Sequence, residues 1–388
     1  MNALLDSIEV PQWLPAKIQK KIYFLFFSVT FGYLSTGTVL TVLAKLADET
    51  KAKGQDGQAV HFKHPVFQAF LMFLGEMACL IPYKFGLWRI VQSGGVITPG
   101  VHKGLAARWK FILPAFCDLV SSVILFIGLT LIPASTYQML RGSVLLFTVM
   151  FSALLLRVRR PLPLTSEWLG LLTLMGGIVL VGVRATEDTT ESDNLTVGCL
   201  AIIVAQLFSA LHFVLQDWLL GKAHGEGGKT NEVPPLQQIG WEGVWGTLMT
   251  AVLLVILKFV PDTEDFVNAF VMMSHDRALM ISNIAMVVFC AFFNYFGACI
   301  TKENGALIRS ILDQCRMVTV WFVSIQIGWE TFEKWQLVGF IVMTQGMFMY
   351  YGMIRVKGLE YRDDLTVTQV TQVLIPSDTV PMEYETIP

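Results

Sequence analysis

The chain has 388 residues, 54% of them hydrophobic and only 15% charged, whereas a soluble domain carries roughly 25% charged residues. The charge deficit excludes an ordinary soluble domain and points to a membrane protein, while the net charge of −2 says nothing about partners. All six cysteines (Cys79, Cys117, Cys199, Cys290, Cys299 and Cys315) fall in apolar runs without metal or disulfide spacing, so neither framework is supported.

Residues 1–21 hold Asp6, Glu9, Pro11 and Pro15 before any long apolar run. They read as a cytosolic segment, neither a signal peptide nor an Arg-rich transit peptide. A helix needs about 20 mostly apolar residues to cross the hydrocarbon. Ten stretches qualify, at 22–46, 65–85, 107–131, 134–156, 165–184, 196–220, 236–259, 279–301, 305–328 and 332–354. The third and fourth are joined so closely that they predict an antiparallel hairpin. Lys45 ends the first span, where a lysine can snorkel to the interface. Glu76 lies in mid-second span. Asp118 lies in mid-third span with Ser121 and Ser122 on its face. In the fourth span Gln138, Arg141, Thr148 and Ser152 form one stripe. The sixth adds Gln206, His212 and Gln216, and the eighth adds Asn294. In the ninth, Arg309, Asp313 and Arg316 stand at i, i+4 and i+7, again one face. From residue 355 the chain reads as a polar, disordered cytosolic tail.

Basic residues set the orientation. With the N-terminus in the cytosol, ten spans return the C-terminus there. The cytosolic segments then hold Lys17, Lys20, Lys21, Arg89, Lys103, Arg108, Lys110, Arg157, Arg159, Arg160, Arg355 and Lys357, and the opposite side holds acidic loops such as "TEDTTESDN". In the fifth and tenth spans a Trp precedes two glycines seven apart: Gly170 and Gly177, then Gly339 and Gly346. Each pair lines one helix face where backbones can approach closely. This hints at a five-plus-five repeat, 22–184 and 196–354, joined by a lumenal loop at 185–195. Because five is odd, the second half would be inverted, as in many secondary transporters.

Lipid cannot satisfy polar groups inside spans, so these must face the bundle interior or a watery cavity. Two compatible readings follow. One is a solute cavity between the halves; the other is a set of structural ion pairs, with Arg309 and Arg316 held by Asp313 and Arg141 held by Asp118. Glu76 reads equally as a cavity group or as a protonated helix-packing partner. His212 reads as a packed polar residue in preference to a proton relay. "AHGEGGKT" at 223–230 lacks the strand and helix a phosphate loop needs and reads as a flexible loop. Asn194 opens a glycosylation sequon near the sixth span. Tyr384 and Ile387 fit a Tyr-x-x-apolar sorting signal that adaptors would read.

Several segments together resemble a known family: "TGTVLTVLAKLAD", "HPVFQAFLMFLGEMACL", "LPAFCDLVSSVILFIGL", "ASTYQMLRGSVLLFTVMFS", "EWLGLLTLMGGIVLVG" and "TKENGALIRSILDQCRMVTVWFVSIQIGWE". They are similar to the F-type members of solute carrier family 35, the nucleotide-sugar-transporter-like, EamA-like branch of the drug/metabolite transporter superfamily. The resemblance runs over about residues 30–355. It implies ten helices, cytosolic termini, two inverted five-helix repeats and alternating access. It also implies a cavity where Glu76, Asp118, Arg141, Asp313 and Arg316 fall by position. Thr301-Lys302 matches a pair common in nucleotide-sugar carriers, but the following "ENGAL" departs from their Ser-Ala run.

The expectation is therefore an all-α membrane protein. It moves a small polar solute across an intracellular membrane by alternating access, with proton coupling or exchange. The cavity candidates are Glu76, Asp118, Gln138, Arg141, Asn294, Asp313 and Arg316. Arg141 and Arg316 present positive charge or hold Asp118 and Asp313; Glu76 or Asp118 takes the proton in a coupled cycle. The solute is of anionic nucleotide type or cationic amino-acid or peptide type. No enzyme activity, cofactor, metal or nucleic acid is expected. The partners are the bilayer, the solute, sorting adaptors at the tail and a second copy in a homodimer. An endolysosomal or other endomembrane is favoured over the plasma membrane, with Golgi or mitochondrial membranes as alternatives. The competing expectation is a non-transporting scaffold that recruits partners through its loops and tail.

Overall fold

A computed structural model describes residues 16–55, 57–92, 109–132, 137, 140–155, 165–187, 192–220, 234–260, 264–329, 334–350 and 354. Gln138, the 223–230 loop, Tyr384 and Ile387 lie outside the described residues. Helix α1 covers Ala16–Glu49, α2 Pro65–Ala78, α3 Leu80–Gln92, α4 Ile112–Leu131 and α5 Val144–Leu155. The second half of the chain holds α6 Thr165–Glu187, α7 Ser192–Leu220, α8 Pro235–Leu257, α9 Phe266–His275, α10 Arg277–Ile327 and α11 Lys334–Tyr350. Among the described residues six stretches are long and apolar enough to cross a membrane: Ser28–Glu49, Pro65–Arg89, Trp109–Leu129, Thr196–Leu220, Pro235–Leu257 and Arg277–Glu303. The protein is an all-α membrane protein with one small hairpin.

Its surface is inverted relative to a soluble fold. Phe31, Ile81, Leu154 and Leu172 are exposed, while Gln68, Glu76, Gln238, Glu242, Arg309 and Arg316 are buried. Only a lipid surround makes that distribution favourable, because it rewards apolar exposure and forbids unpaired polar groups there.

Local sequence explains where the helices begin and bend. Pro65 and Pro235 open α2 and α8, positions where a missing N–H costs nothing. Asp276 caps α10 by accepting from the amides of Ala278 and Leu279. At its far end Gly328 (φ 81°) closes the helix with Trp329 N–H donating to Ser324 O, a left-handed cap suited to glycine. The sequence predicts two spans meeting near residues 302–304; in the structure α10 is two helical segments joined at a kink at Gly305. Gly305, at φ 85° and ψ 170°, supplies the bend that a side chain would resist. The amide of Ala306 beyond the bend donates to Asp217 Oδ2 of α7 at 3.1 Å.

The principal packing pairs are α1 on α10, α6 on α11, α4 on α7, α2 on α8, α2 on α10, α5 on α7, α7 on α10 and α4 on α8. Helices α6 and α11 meet through the predicted glycines. A Cβ on Gly170 would stand 2.8 Å from Gly346 O, and one on Gly177 3.0 Å from Gly339 O. A Cβ on Gly346 would meet Leu174 N at 2.4 Å, and backbone cannot yield as a side chain can. Gly346→Ala should therefore cost about 1–3 kcal/mol by forced separation. Gly176→Ala in the same helix, with nothing within 4 Å, should be neutral or mildly stabilising. Thermal unfolding of both variants in detergent checks the contrast.

One end of the bundle carries a feature the sequence reading missed. Strands β1 (Lys51–Lys53) and β2 (Ala59–His61) pair antiparallel, with Ala52 opposite Val60. The turn docks on α9 through Gln55 N–H donating to Asn268 Oδ1 at 2.9 Å. Beside it, Glu264 accepts from the amides of Val66 and Phe67 at 2.7 and 2.6 Å. It thus caps α2, whose own N-cap residue, His64, supplies no side-chain cap.

Burial pushes the Glu264 carboxyl up to about 7, with the Phe67 and Val66 amides pulling the other way. Burial pulls His64 down to about 4. A raised carboxyl stabilises the fold below the usual glutamate range and loses that contribution as pH rises through about 7. A depressed histidine stabilises above its usual range, losing that as pH falls through about 4. The two slopes oppose each other in mildly acidic solution. Glu264→Gln keeps a cap acceptor and removes the first slope. The variant should lose melting temperature between pH 7 and pH 5 more steeply than the parent.

Candidate functional site

A cavity of about 100 Å³ lies inside the bundle. Its lining runs along α1 from Leu40 to Ala44 and along α4 from Asp118 to Leu129, and it also takes residues from α2, α7 and α10. It therefore extends from mid-bundle towards the end bearing the hairpin. Towards the other end α2 and α8 pack in close contact. A Cβ on Gly243 would stand 2.2 Å from Met77 N, and one on Gly240 2.5 Å from Leu80.

Two buried polar networks border the cavity. The first centres on Asp313. Arg316 donates through Nε to its Oδ1 at 2.9 Å, Arg141 through Nη2 to its Oδ2 at 3.3 Å, and Tyr33 Oη to Oδ1 at 3.3 Å. Arg316 also donates to Thr41 Oγ1 at 2.8 Å and to Gly37 O at 3.3 Å. Its stem passes where a Cβ on Gly37 would stand, 2.5 Å from Cδ, so only glycine admits it. Arg141 donates to Tyr137 Oη at 3.1 Å. With two guanidinium groups and one carboxylate, this wall carries net positive charge.

The second network centres on Glu242 and His212. Glu242 accepts from His212 Nε2 at 3.2 Å, Gln216 Nε2 at 2.6 Å and Gln238 Nε2 at 2.7 Å. The other ring nitrogen of His212 lies 3.7 Å from Asp118 Oδ1, which also accepts from Ser122 at 3.3 Å. Glu76 Oε1 accepts from Asn294 Nδ2 at 2.8 Å. Arg309 donates to Gln216 Oε1, and its guanidinium lies 4.3 Å from the Phe213 ring centroid. Three carboxyl groups meet one arginine and one imidazole in this network, and of these Asp118, His212 and Arg309 line the cavity.

The sequence candidates distribute as follows. Asp118, Arg141, Asn294, Asp313 and Arg316 line the cavity. Glu76 sits behind Asn294 and not among the lining residues. Two expected ion pairs are corrected. Arg141 pairs with Asp313, not Asp118, and Asp118 instead faces His212. Arg309 takes Gln216 of α7 as a hydrogen-bond partner, with no ion pair to Asp313 among the described residues, and Arg309 and Asp313 both line the cavity. Arg141 belongs to a 3₁₀ turn, Arg141–Ser143, that leads into α5. Its stripe faces α10: Thr148 accepts from Ser310 at 3.1 Å, and Gln314 donates to Gly142 O at 3.3 Å. Lys45 pairs with Glu49 at 3.3 Å on its own helix and does not line the cavity. Asn194 lies in the first turn of α7. The sequence alone did not single out Tyr33, Thr41, Tyr137 or Glu242 as site residues. His212 is buried and held between two carboxyl groups, Asp118 and Glu242.

Comparisons with known proteins identify the family. Residues 96–224 match the family described as nucleotide-sugar transporter. The chain is 33% identical over 338 residues to solute carrier family 35 member F6 of Homo sapiens and of Rattus norvegicus, covering 83% of this chain and 87% of theirs. An uncharacterized protein of Schizosaccharomyces pombe is 28% identical over 330 residues, 83% of this chain and 96% of that one. A crystal structure of another protein superposes with a TM-score of 0.56 at 15% identity, covering 85% of this chain and 98% of that chain, a likeness of fold alone.

Proposed function

The chain belongs to solute carrier family 35, among its F-type members, and on that premise we propose that this multi-pass membrane transporter moves a small polar solute across an intracellular membrane by alternating access. The family is one of transporters, not enzymes. One observation carries the mechanism: a single cavity takes charged side chains from both halves of the chain, Asp118 and Arg141 from the first, Arg309, Asp313 and Arg316 from the second. A solute bound there touches both halves, so their relative rotation would transfer access from one side to the other.

The packing partners support ten spans in two inverted repeats. The span that holds α4 packs on the one holding α7, and five spans further on the first part of α10 packs on α1. Likewise α2 meets the first part of α10 while α8 meets α4; α2 with α8 and α6 with α11 pair across the two repeats. A twofold relation between halves produces this pattern. Cytosolic termini, and with them an opening on the hairpin side towards the lumen, follow from the basic-residue distribution.

The proton of a coupled cycle has a natural carrier in the second network. Imidazole takes up and returns protons across the physiological pH range, and His212 joins Asp118 at the cavity to Glu242 behind it.

Purified protein in vesicles, screened against pooled solutes under an imposed pH gradient, tests the reading. Uptake or exchange of a solute, lost in Arg141→Ala, is the expected result. Equal inactivity of parent and variant towards every pool would instead favour a scaffold.

A further inference from the structure

The two networks differ in how much of each charge they leave open to the cavity. Arg316, Asp313, His212 and Glu242 side chains are 2–4% exposed, but those of Arg141 and Asp118 are each 16% exposed. Arg141 keeps a buried Nε with no partner among the described residues. Its Nη2 shares Asp313 with Arg316, so one carboxylate serves two guanidinium groups. Asp118 spends Oδ1 on Ser122 and His212 and shares a further side-chain hydrogen bond with Glu76. Arg309, also in the lining, is 1% exposed, so Arg141 and Asp118 are the two charged groups most open to the cavity, one of each sign. The lining also holds apolar and aromatic side chains such as Leu40, Leu125 and Phe293, with small polar ones such as Thr41 and Ser209.

A solute with one charge would satisfy one wall and leave the other group facing it unpaired, at a cost in binding. A nucleotide sugar brings several negative charges and a bulk suited to pockets of roughly 300–1,000 Å³, larger than this cavity of about 100 Å³. We infer that the solute is a small zwitterion, whose carboxylate is taken by Arg141 and whose ammonium group is taken by Asp118. This rests on the transport reading only in taking the cavity for the solute site. A free amino acid and a dipeptide present the same two end groups at different separations, so both belong in the test.

Binding is measured on the full chain in detergent, apart from any transport. The probes are alanine, alanylalanine, N-acetylalanine (anion only), alaninamide (cation only) and uridine diphosphate glucose. Thermal shift and calorimetry should register alanine or alanylalanine and neither singly charged analogue. Which zwitterion binds more tightly reports the separation of the two charges. Loss of one charge-assisted contact should weaken binding roughly tenfold to hundredfold, both in the analogues and in Arg141→Gln and Asp118→Asn. The analogue arm needs no variant and stands if either variant misfolds. Binding of N-acetylalanine or alaninamide as tight as that of alanine overturns the inference, as does response to uridine diphosphate glucose alone. Zwitterion binding without exchange in vesicles would sink the transport reading and leave this one standing. Exchange of nucleotide sugars without zwitterion binding would do the reverse.

Discussion

Asp313→Ala should leave little folded protein. Asp313 ties three separate elements together: α1 through Tyr33, the turn before α5 through Arg141, and α10 through Arg316. Removing the carboxylate leaves two guanidinium groups without a counter-charge in a site almost closed to water. Neither can become neutral by losing a proton, since arginine does not. Breaking a buried pair by deleting one partner costs about 3–5 kcal/mol, a large share of the stability a folded domain has. Arg316→Met is the milder change. It leaves Asp313 still facing Arg141, and the methionine fills the channel past Gly37. The double variant Asp313→Ala with Arg316→Met should be more stable than Asp313→Ala alone, because one of the stranded cations has gone. Denaturant or thermal unfolding of the four proteins forms a double-mutant cycle. An Asp313→Ala protein that melts within a degree or two of the parent would mean that water or lipid headgroups already screen the arginines.

The apolar stretches were legible because the bilayer imposes length and polarity on every helix that crosses it. The face shared by Asp313 and Arg316 was legible too, since helical spacing places neighbours three apart together. Which partner each charge takes was not legible. Arg141 and Asp313 are 172 residues apart, and their meeting depends on how α5 and α10 cross. Arg309 was assigned to Asp313 on spacing alone; its hydrogen-bond partner is Gln216, 93 residues away on α7. A glycine in an apolar run gives no sign of whether it bends, packs or does neither. Gly170 and Gly346 pack, Gly305 bends, and Gly176 meets nothing within 4 Å. The hairpin escaped notice because three-residue strands such as "KAK" and "AVH" are too short for any alternation to register. Glu264 escaped notice because a cap donated from a distant loop leaves no local signature beside His64.

His212→Asn should separate proton movement from solute movement. Asparagine has similar reach and can still hydrogen-bond Glu242, but it cannot carry a proton. In the parent, protonation of His212 places a cation between Asp118 at 3.7 Å and Glu242 at 3.2 Å. Loss of that proton removes the cation facing Asp118 and frees its carboxylate for the solute. Solute and proton would thus compete for one carboxylate, the simplest linkage by which a gradient of one drives the other. Vesicles loaded with a pH-sensitive dye report proton flux directly. With the parent, adding a transported solute pool should move protons, and an imposed pH gradient should drive accumulation. With His212→Asn, both effects should vanish while solute exchange across equal pH continues. Asp118→Asn should lose exchange as well, because it removes the cavity group itself. If His212→Asn keeps gradient-driven accumulation, the proton travels by another route, and Glu76, held by Asn294 behind the cavity wall, becomes the group to replace next.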